Sequence, residues 1–270
     1  MPSNSIESSG PARDQGAATT LWDARLYDRV ATPHVHWGEA VISRLPLAGR
    51  ETVLDAGCGT GRVTQLLLDA FPELQMVAVD ASAEMLHEAR RRLAAYDGRV
   101  RFQRTDLCAL QVAELPGCRP VDAVISTATF HWILDHERLF RMLAAVMRDG
   151  APLSAQCGGE GNIASVIAAA RKFGVNTLGR WNFPSPETTA RYLKAAGFTD
   201  IEVWSHPEPT LIRDRQERAD FLQTVALREY VATLKANERR PFVEAIIDAM
   251  PDATIDYVRL NIVARKGHRT

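Results

Sequence analysis

The chain has 270 residues, of which 46% are hydrophobic, and its formal net charge at pH 7 is −1. That balance argues against a general affinity for nucleic acid or for acidic membranes. Its four cysteines form no C-x-x-C pair, which argues against a disulfide framework or a zinc site and favours a reducing compartment. No apolar run is long enough to cross a bilayer, so we expect a cytoplasmic protein without membrane or nucleic-acid partners.

The first 20 residues are rich in Ser, Gly, Ala and Pro and lack hydrophobic periodicity, which predicts a disordered tail over residues 1–20. Helical periodicity begins at Leu21 and predicts two helices that are broken around Pro33. His34 and His36 are two residues apart, a spacing that does not place them on one helix face. We interpret them as residues of a lid or a substrate rim, and we predict no metal site.

A strand, a glycine turn and a helix follow in close succession. Val53 and Leu54 form a short apolar run typical of a buried parallel strand, and the pattern D-x-G-x-G-x-G then runs from Asp55 to Gly61. Glycine permits a tight turn and lets a ligand approach the backbone amides, to which the next helix adds its unpaired N–H groups. The spacing differs by one residue from the dinucleotide fingerprint G-x-G-x-x-G, and the sequence lacks the Lys of a P-loop.

The second predicted strand, Met76–Val79, is followed by Asp80. A carboxylate at the end of this strand can accept hydrogen bonds from both hydroxyls of an adenosine ribose. NAD enzymes use the same acid, so Asp80 indicates an adenosine ligand without choosing between cofactors. Ser82 is suited to cap the next helix, predicted over Ala83–Leu93.

The motif that begins at Asp55 resembles the first motif of class I S-adenosylmethionine (SAM)-dependent methyltransferases, and D-x-S-x-x-M-L from Asp80 resembles their second. The resemblance implies an α/β fold, with a Rossmann-like, seven-stranded, mostly parallel sheet, an antiparallel last strand and a helical lid. It also implies that SAM is the cofactor. The cofactor-binding residues that it implies are Tyr27, Asp55, Gly57, Gly59, Gly61, Asp80, Ala81, Met85, Asp106, Leu107 and Thr127.

The segment after the fourth predicted strand, Val121–Ser126, is unusually aromatic for a loop. It should border the methyl group, because open α/β sheets bind ligands at the carboxyl ends of the strands beside the switch point. The pair His131-Trp132 resembles the H-W or Q-W of methyltransferases that act on small molecules, including the trans-aconitate methyltransferases, as does the segment Trp181-Asn182-Phe183-Pro184. His131 is the candidate catalytic residue, as an acid/base or a substrate hydrogen-bonding group. A structural histidine is the alternative.

The residues that we expect to contact the substrate come from separate segments: His36, Trp132, Gln156, Trp181 and Arg228. Asn162, in a glycine-rich stretch after the fifth predicted strand, could also hydrogen-bond a polar substrate. A carboxylate acceptor would need no base but would favour an arginine that grips it bidentately, and the candidates are Arg180, Arg213 and Arg228. A hydroxyl, amine or carbon acid would instead need His131 as the base.

The region 207–252 is rich in helix-forming residues, has its own apolar stripes and is too long for a simple connection. We predict a helical lid inserted into a SAM-binding domain formed by residues 21–206 and 253–270. The last strand, Ile255–Ala264, alternates apolar and polar residues, which predicts an antiparallel strand inserted at the sheet edge.

The predicted function is SAM-dependent methyl transfer to a small molecule, at a carboxylate or hydroxyl oxygen. C- or N-methylation of a natural-product intermediate and SAM binding without catalysis are the alternatives. An NAD-dependent oxidoreductase is disfavoured by the glycine spacing, and a protein or RNA methyltransferase by the neutral charge. The chain is expected to act as a monomer or a homodimer.

Overall fold

The computed structural model describes residues 34–175 and 181–268, with side chains described from Trp37 onward. The predicted tail, Tyr27 and Arg180 lie outside the described residues. Only the backbone of His36 is described, in the first helix. The roles expected of these residues therefore stay predictions.

The strands of the described residues are β1 Thr52–Ala56, β2 Gln75–Asp80, β3 Val100–Arg104, β4 Ala123–Thr127, β5 Pro152–Gly158, β6 Phe198–Pro207, β7 Thr210–Leu211, β8 Thr254–Ile255 and β9 Val258–Lys266. The α-helices are α1 His34–Ile42, α2 Arg62–Ala70, α3 Ala83–Arg92, α4 His136–Val146, α5 Ala164–Arg171, α6 Pro186–Ala195, α7 Arg215–Phe221, α8 Arg228–Thr233 and α9 Ala236–Ala249. A 3-10 turn, Phe130–Trp132, follows β4, and a π-helical turn, Leu222–Ala226, follows α7. None of the described helices is long and apolar enough to cross a membrane.

Seven strands form one sheet in the order β3-β2-β1-β4-β5-β9-β6. Strands β1 to β5 pair in parallel, whereas β9 runs antiparallel to both β5 and β6. The predicted seven-stranded, mostly parallel sheet with an antiparallel last strand is confirmed, and this last strand lies one position in from the edge. The strand order reverses between β1 and β4, so the crevice at their carboxyl ends is the expected ligand site.

The apolar runs of the sequence explain why the sheet is central. In β1, Val53, Leu54 and Ala56 have no exposed surface, as expected for a parallel strand that is covered on both faces. Leu54 and Ala56 pack in a cluster with residues of α4 and α6 on one face of the sheet. Val53 packs in a second cluster with residues of α1 and α2 on the other face.

A further apolar cluster joins the helices between β6 and β9 to the rest of the molecule. It includes Leu222 of the π-helical turn and Val243 of α9, together with Val166 of α5 and Trp37 of α1. The predicted insertion at 207–252 therefore shares its core with α5 and α1. Its function as a lid stays a prediction.

Candidate active site

The glycine turn lies between β1 and α2 and has the left-handed backbone that its composition predicts. The φ angles of Gly57, Gly59 and Gly61 are +83°, +55° and +81°. A Cβ atom on Gly57 would lie 2.1 Å from Cγ2 of Thr129, and one on Gly61 would lie 2.9 Å from Cδ1 of Leu93. No atom lies within 4 Å of a Cβ built on Gly59. Packing therefore requires two of the glycines, while the third leaves open space beside its backbone for a ligand.

Asp80 connects the end of β2 to this turn. Its Oδ2 accepts a hydrogen bond from the backbone N–H of Gly59 at 3.0 Å, and its Oδ1 accepts one from Ser82 at 2.8 Å. Burial raises the pKa of Asp80, and these backbone hydrogen bonds oppose the shift. Each carboxylate oxygen can accept a further bond, so the side chain can hold the turn and still receive a ribose hydroxyl.

Asp55 lies inside the protein at the base of the turn. It is 2% exposed, and its Oδ2 accepts a 2.6 Å hydrogen bond from the hydroxyl of Thr64 on α2. Burial raises the pKa of Asp55 to about 7, and the nearby carboxylate of Asp80 adds to the increase. The described contacts of Asp55 thus fix the helix that begins at the turn.

The other predicted cofactor residues lie at or just after the ends of β2, β3 and β4, except for Met85, which lies in the first turn of α3. Ala81 and Asp106 are exposed, whereas Met85 and Leu107 are buried in the core. The hydroxyl of Thr127 is buried and has no hydrogen-bond partner among the described residues. Ser82 caps α3 as predicted, because its hydroxyl accepts a hydrogen bond from the backbone N–H of Met85. The structure thus brings these residues to one edge of the sheet, and their contacts with a cofactor stay predictions.

The segment after β4 is tied to the glycine turn. The hydroxyl of Thr129 donates a 3.0 Å hydrogen bond to the carbonyl of Gly57, and Ala128 adopts a left-handed φ of +56°. The N–H of Ala128 donates to the carbonyl of Gln156 on β5. These contacts hold the following 3-10 turn, with His131 and Trp132, over the carboxyl ends of β4 and β5.

A cleft lies above this edge, and we call it the chamber. Its lining includes three of the predicted residues, His131, Trp132 and Trp181, together with Asn162, for which a substrate contact was considered. The other lining residues, most of which were not predicted to have a functional role, are Trp37, Ala128, Ile163, Phe183, Phe221, Val225, Ala226, Tyr257 and Arg259. The chamber is therefore largely aromatic, and none of its described lining residues is an Asp or a Glu.

Arg259 of β9 supplies the chamber with a positive charge that the sequence analysis missed. Its side chain is 2% exposed, and its guanidinium carbon lies 3.7 Å from the ring centroid of Trp37. Its Nε donates a hydrogen bond to Oε1 of Gln156 at 3.3 Å. A buried guanidinium among aromatic rings is suited to bind an anion, since its planar N–H groups match a carboxylate. The signal available in the sequence was an arginine between the apolar residues of a strand.

Two of the predicted substrate residues lie outside the chamber lining. Gln156 is 2% exposed, and its amide is used within the protein: it accepts from Arg259 and donates to Asn261 at 2.9 Å. Arg228 stands behind Trp132, with its guanidinium carbon 5.6 Å from the ring centroid. Arg213, a third arginine candidate, is exposed on the surface. Arg259 is therefore the described arginine that lines the chamber.

The described residues contain no cluster of three or more His, Cys, Asp or Glu side chains able to hold a metal ion. The residues at the turn fit SAM: left-handed glycines leave the backbone open, and a carboxylate lies at the end of the neighbouring strand. The cofactor site and the chamber meet at the segment after β4.

Comparisons with known proteins agree with this geometry. Residues 53–150 match the family described as "Methyltransferase domain". A trans-aconitate 2-methyltransferase of Azoarcus sp. (strain BH72) is 28% identical over 244 residues, which are 84% of this chain and 90% of that protein. A trans-aconitate 2-methyltransferase of Methylobacterium nodulans is 27% identical over 269 residues, with coverages of 91% and 98%.

Among solved structures, a Haemonchus contortus phosphoethanolamine N-methyltransferase 2 in complex with phosphomonomethylethanolamine and S-adenosylhomocysteine has the same fold. Its TM-score is 0.61 at 19% identity, and the match covers 91% of this chain and 57% of that one. The sheet order, the glycine turn and these matches support a class I SAM-dependent methyltransferase. Over most of its length it is similar to the trans-aconitate 2-methyltransferases.

Proposed function

We propose that this methyltransferase transfers the methyl group of SAM to a carboxylate oxygen of a small organic acid, forming a methyl ester. The observation that carries the proposal is Arg259, a buried guanidinium in the wall of the chamber beside the cofactor site. The names of the relatives, trans-aconitate 2-methyltransferases, support an acidic acceptor. The acceptor is drawn from the unsaturated or aromatic acids, because the other walls of the chamber are mostly aromatic rings.

The reaction needs little covalent chemistry from the protein. When bound, SAM would supply a methyl group activated by its sulfonium for transfer to the carboxylate oxygen, and the electron pair of the C–S bond would remain on sulfur. A carboxylate is already deprotonated at neutral pH, so no general base is required. The main task of the protein is to hold the acceptor oxygen in line, about 3–3.5 Å from the carbon, which can lower the barrier by roughly 7–11 kcal/mol.

Two parts of the chain share this task in the proposal. The backbone around Gly59 and the carboxylate of Asp80 hold the adenosine end of SAM. The guanidinium of Arg259 binds the acceptor carboxylate, and Gln156 fixes the guanidinium by accepting from its Nε. The aromatic side chains exclude water, which strengthens the charge–charge contact inside the chamber.

The chain also has four free cysteine thiols: Cys58, Cys108, Cys118 and Cys157. They are compatible with the reducing cytoplasm, where we propose that the enzyme acts on its small-molecule substrate as a monomer or a homodimer.

Trans-aconitate, cinnamate and benzoate form a test panel that spans a tricarboxylate and two flat monocarboxylates.

The test incubates the protein with each acid and SAM carrying a labelled methyl group. We expect at least one labelled product whose mass is that of the acid plus one methylene unit and whose label is released by mild alkali, as a methyl ester requires. Alkali-stable label on carbon or nitrogen would contradict the proposal. SAM binding without transfer to any acid of the panel would indicate a non-catalytic SAM-binding protein.

A further inference from the structure

The ring of His131 is held inside the chamber wall in one orientation. The residue is 9% exposed, and its ring centroid lies 5.1 Å from that of Trp132 and 5.8 Å from that of Phe183. The backbone N–H of Gly158, the last residue of β5, points at its Nδ1 over 3.2 Å. The histidine is therefore locked by contacts on two sides before any substrate enters.

The partner at Nδ1 decides where the proton of the ring lies. A backbone N–H can only donate, so Nδ1 must offer its lone pair to Gly158. In a neutral imidazole the other nitrogen then carries the hydrogen, which assigns the Nε2–H tautomer to His131. In this state Nε2 is a donor, and the only lone pair of the ring is already used by the backbone.

We propose that His131 acts on the acceptor as a hydrogen-bond donor through Nε2–H, orienting a carboxylate, and not as a general base. This inference rests on the proposed function. If Nδ1 accepted a proton as a general base, its new N–H would face the N–H of Gly158. The hydrogen bond from Gly158 that fixes the ring would then be lost. The base that hydroxyl, amine or carbon-acid acceptors would require is thus absent at this position.

The sheet places a second donor close to the first. In the antiparallel ladder between β5 and β9, Gly158 pairs directly with Arg259, so the residue that fixes the tautomer lies opposite the arginine of the chamber. Both His131 and Arg259 line the chamber. An N–H of imidazole and the N–H groups of guanidinium form a set that only donates, and an oxygen anion accepts from both.

Charged and titratable groups approach the ring from several elements. From β5, burial raises the pKa of the Cys157 thiol to about 12, so this neighbour stays neutral. From β9, Arg259 brings a positive charge, and from α8 Arg228 brings another behind Trp132. His136 of α4 hydrogen-bonds the carbonyl of Phe130 through Nε2.

Packing explains why the contact between β5 and the histidine is so close. A Cβ on Gly158 would lie 2.8 Å from Nδ2 of Asn162 and 2.8 Å from Cε1 of Phe183. A side chain at this position would therefore push apart the residues beside His131. The glycine keeps the backbone N–H within reach of Nδ1.

Nitrogen NMR of the protein labelled with ¹⁵N-histidine tests the tautomer directly. We expect the signals of His131, identified by their absence in His131→Gln, to show an unprotonated Nδ1 and a protonated Nε2 near pH 7.5. A ring protonated on Nδ1 alone would overturn the proposal, whatever the activity measurements give.

Kinetics with the acid of the panel that is turned over fastest test the donor role. We expect His131→Leu to lower kcat/KM by about 10- to 100-fold, the loss typical of a hydrogen bond to a charged group, while SAM affinity stays within twofold. His131→Gln replaces Nε2–H with an amide N–H and should be at least about tenfold more active than the Leu variant.

The Gln variant separates donor from base, because an amide has no useful basicity. Equal inactivity of His131→Gln and His131→Leu, with SAM binding intact in both, would overturn the donor role while leaving the proposed function standing. Absence of methyl ester from the wild-type protein would instead reject the proposed function, and the donor role with it.

Discussion

The proposed cofactor end and the chamber of this enzyme are built in different ways. The cofactor end comes from short contiguous segments, because the turn from Gly57 to Gly61 and the acid Asp80 lie at the ends of adjacent parallel strands. The chamber instead collects residues from Trp37 to Arg259, which are far apart in the sequence. The first region is a local motif that many acceptors can share, whereas the second can change without disturbing the cofactor site.

The contrast predicts that substitutions in the turn damage fold and cofactor binding together, whereas substitutions in the chamber affect only the acceptor. Four substitutions test this division.

Gly57→Ala should have the largest effect. The new Cβ would lie 2.1 Å from the Thr129 side chain at a φ of +83°, so we expect a loss of more than about 4 kcal/mol of unfolding free energy, together with loss of SAM binding. Gly98→Ala is the matched control: its φ is +84°, but no atom lies within 4 Å of the new Cβ. It should cost only the left-handed strain of about 1–2 kcal/mol. Equal losses in urea unfolding would show that packing against Thr129 is unimportant.

Asp55 should make stability depend on pH. Its pKa is about 7 in the folded protein and about 3.9 in an unfolded chain, so the folded state binds more protons between these values. The contribution of this group to the unfolding free energy is therefore most favourable below pH 4 and falls as the pH rises to 7. About three pKa units correspond to a total of about 4 kcal/mol.

The neutral variant Asp55→Asn tests this term. Relative to the wild type, the variant should become progressively more stable as urea titrations move from pH 5 to pH 8. A stability difference that is the same at both pH values would show that Asp55 is ionised in the folded protein throughout this range.

Arg259→Met should affect the acceptor and spare the cofactor. Loss of the guanidinium contacts should lower kcat/KM for the methylated acid about 100-fold, or about 3 kcal/mol, while the Kd for SAM changes less than about twofold. Arg265→Met is the control, because Arg265 lies on the same strand with its side chain 45% exposed. A fully active Arg259→Met variant with native circular dichroism would remove the carboxylate site from the chamber.

Asp80→Asn should give the smallest of the four effects. An amide would set N–H groups against the backbone N–H of Gly59 or Ser82 and would remove the charge that strengthens a ribose contact. We expect SAM to bind about 10- to 50-fold more weakly by calorimetry. Asp200→Asn, at an exposed position with a φ of +48° that asparagine tolerates, should bind SAM normally. Unchanged affinity in Asp80→Asn would refute the ribose assignment.

The local structural features that depend on neighbouring residues could be predicted from the sequence. The Ser82 cap, the glycine turn and the position of Asp80 after β2 follow from spacing that local backbone geometry imposes. The aromatic His131-Trp132 pair was also found, because it directly follows a recognisable strand. Gln156 was selected as a substrate residue, yet the structure buries it behind Arg259.

The sequence by itself indicated the succession of strands and helices along the chain and the cofactor turn, since these depend on hydrophobic periodicity and on φ angles that glycine adopts easily. The class of enzyme followed from the resemblance of its motifs to those of a known family. Only the tertiary structure decided which residues form the chamber. Insertion of β9 between β5 and β6 buries Arg259 opposite Gly158, and Gly158 in turn fixes the proton of His131. Such long-range pairing leaves almost no mark on local sequence, because an arginine in an alternating strand looks the same whether its face meets water or an active site.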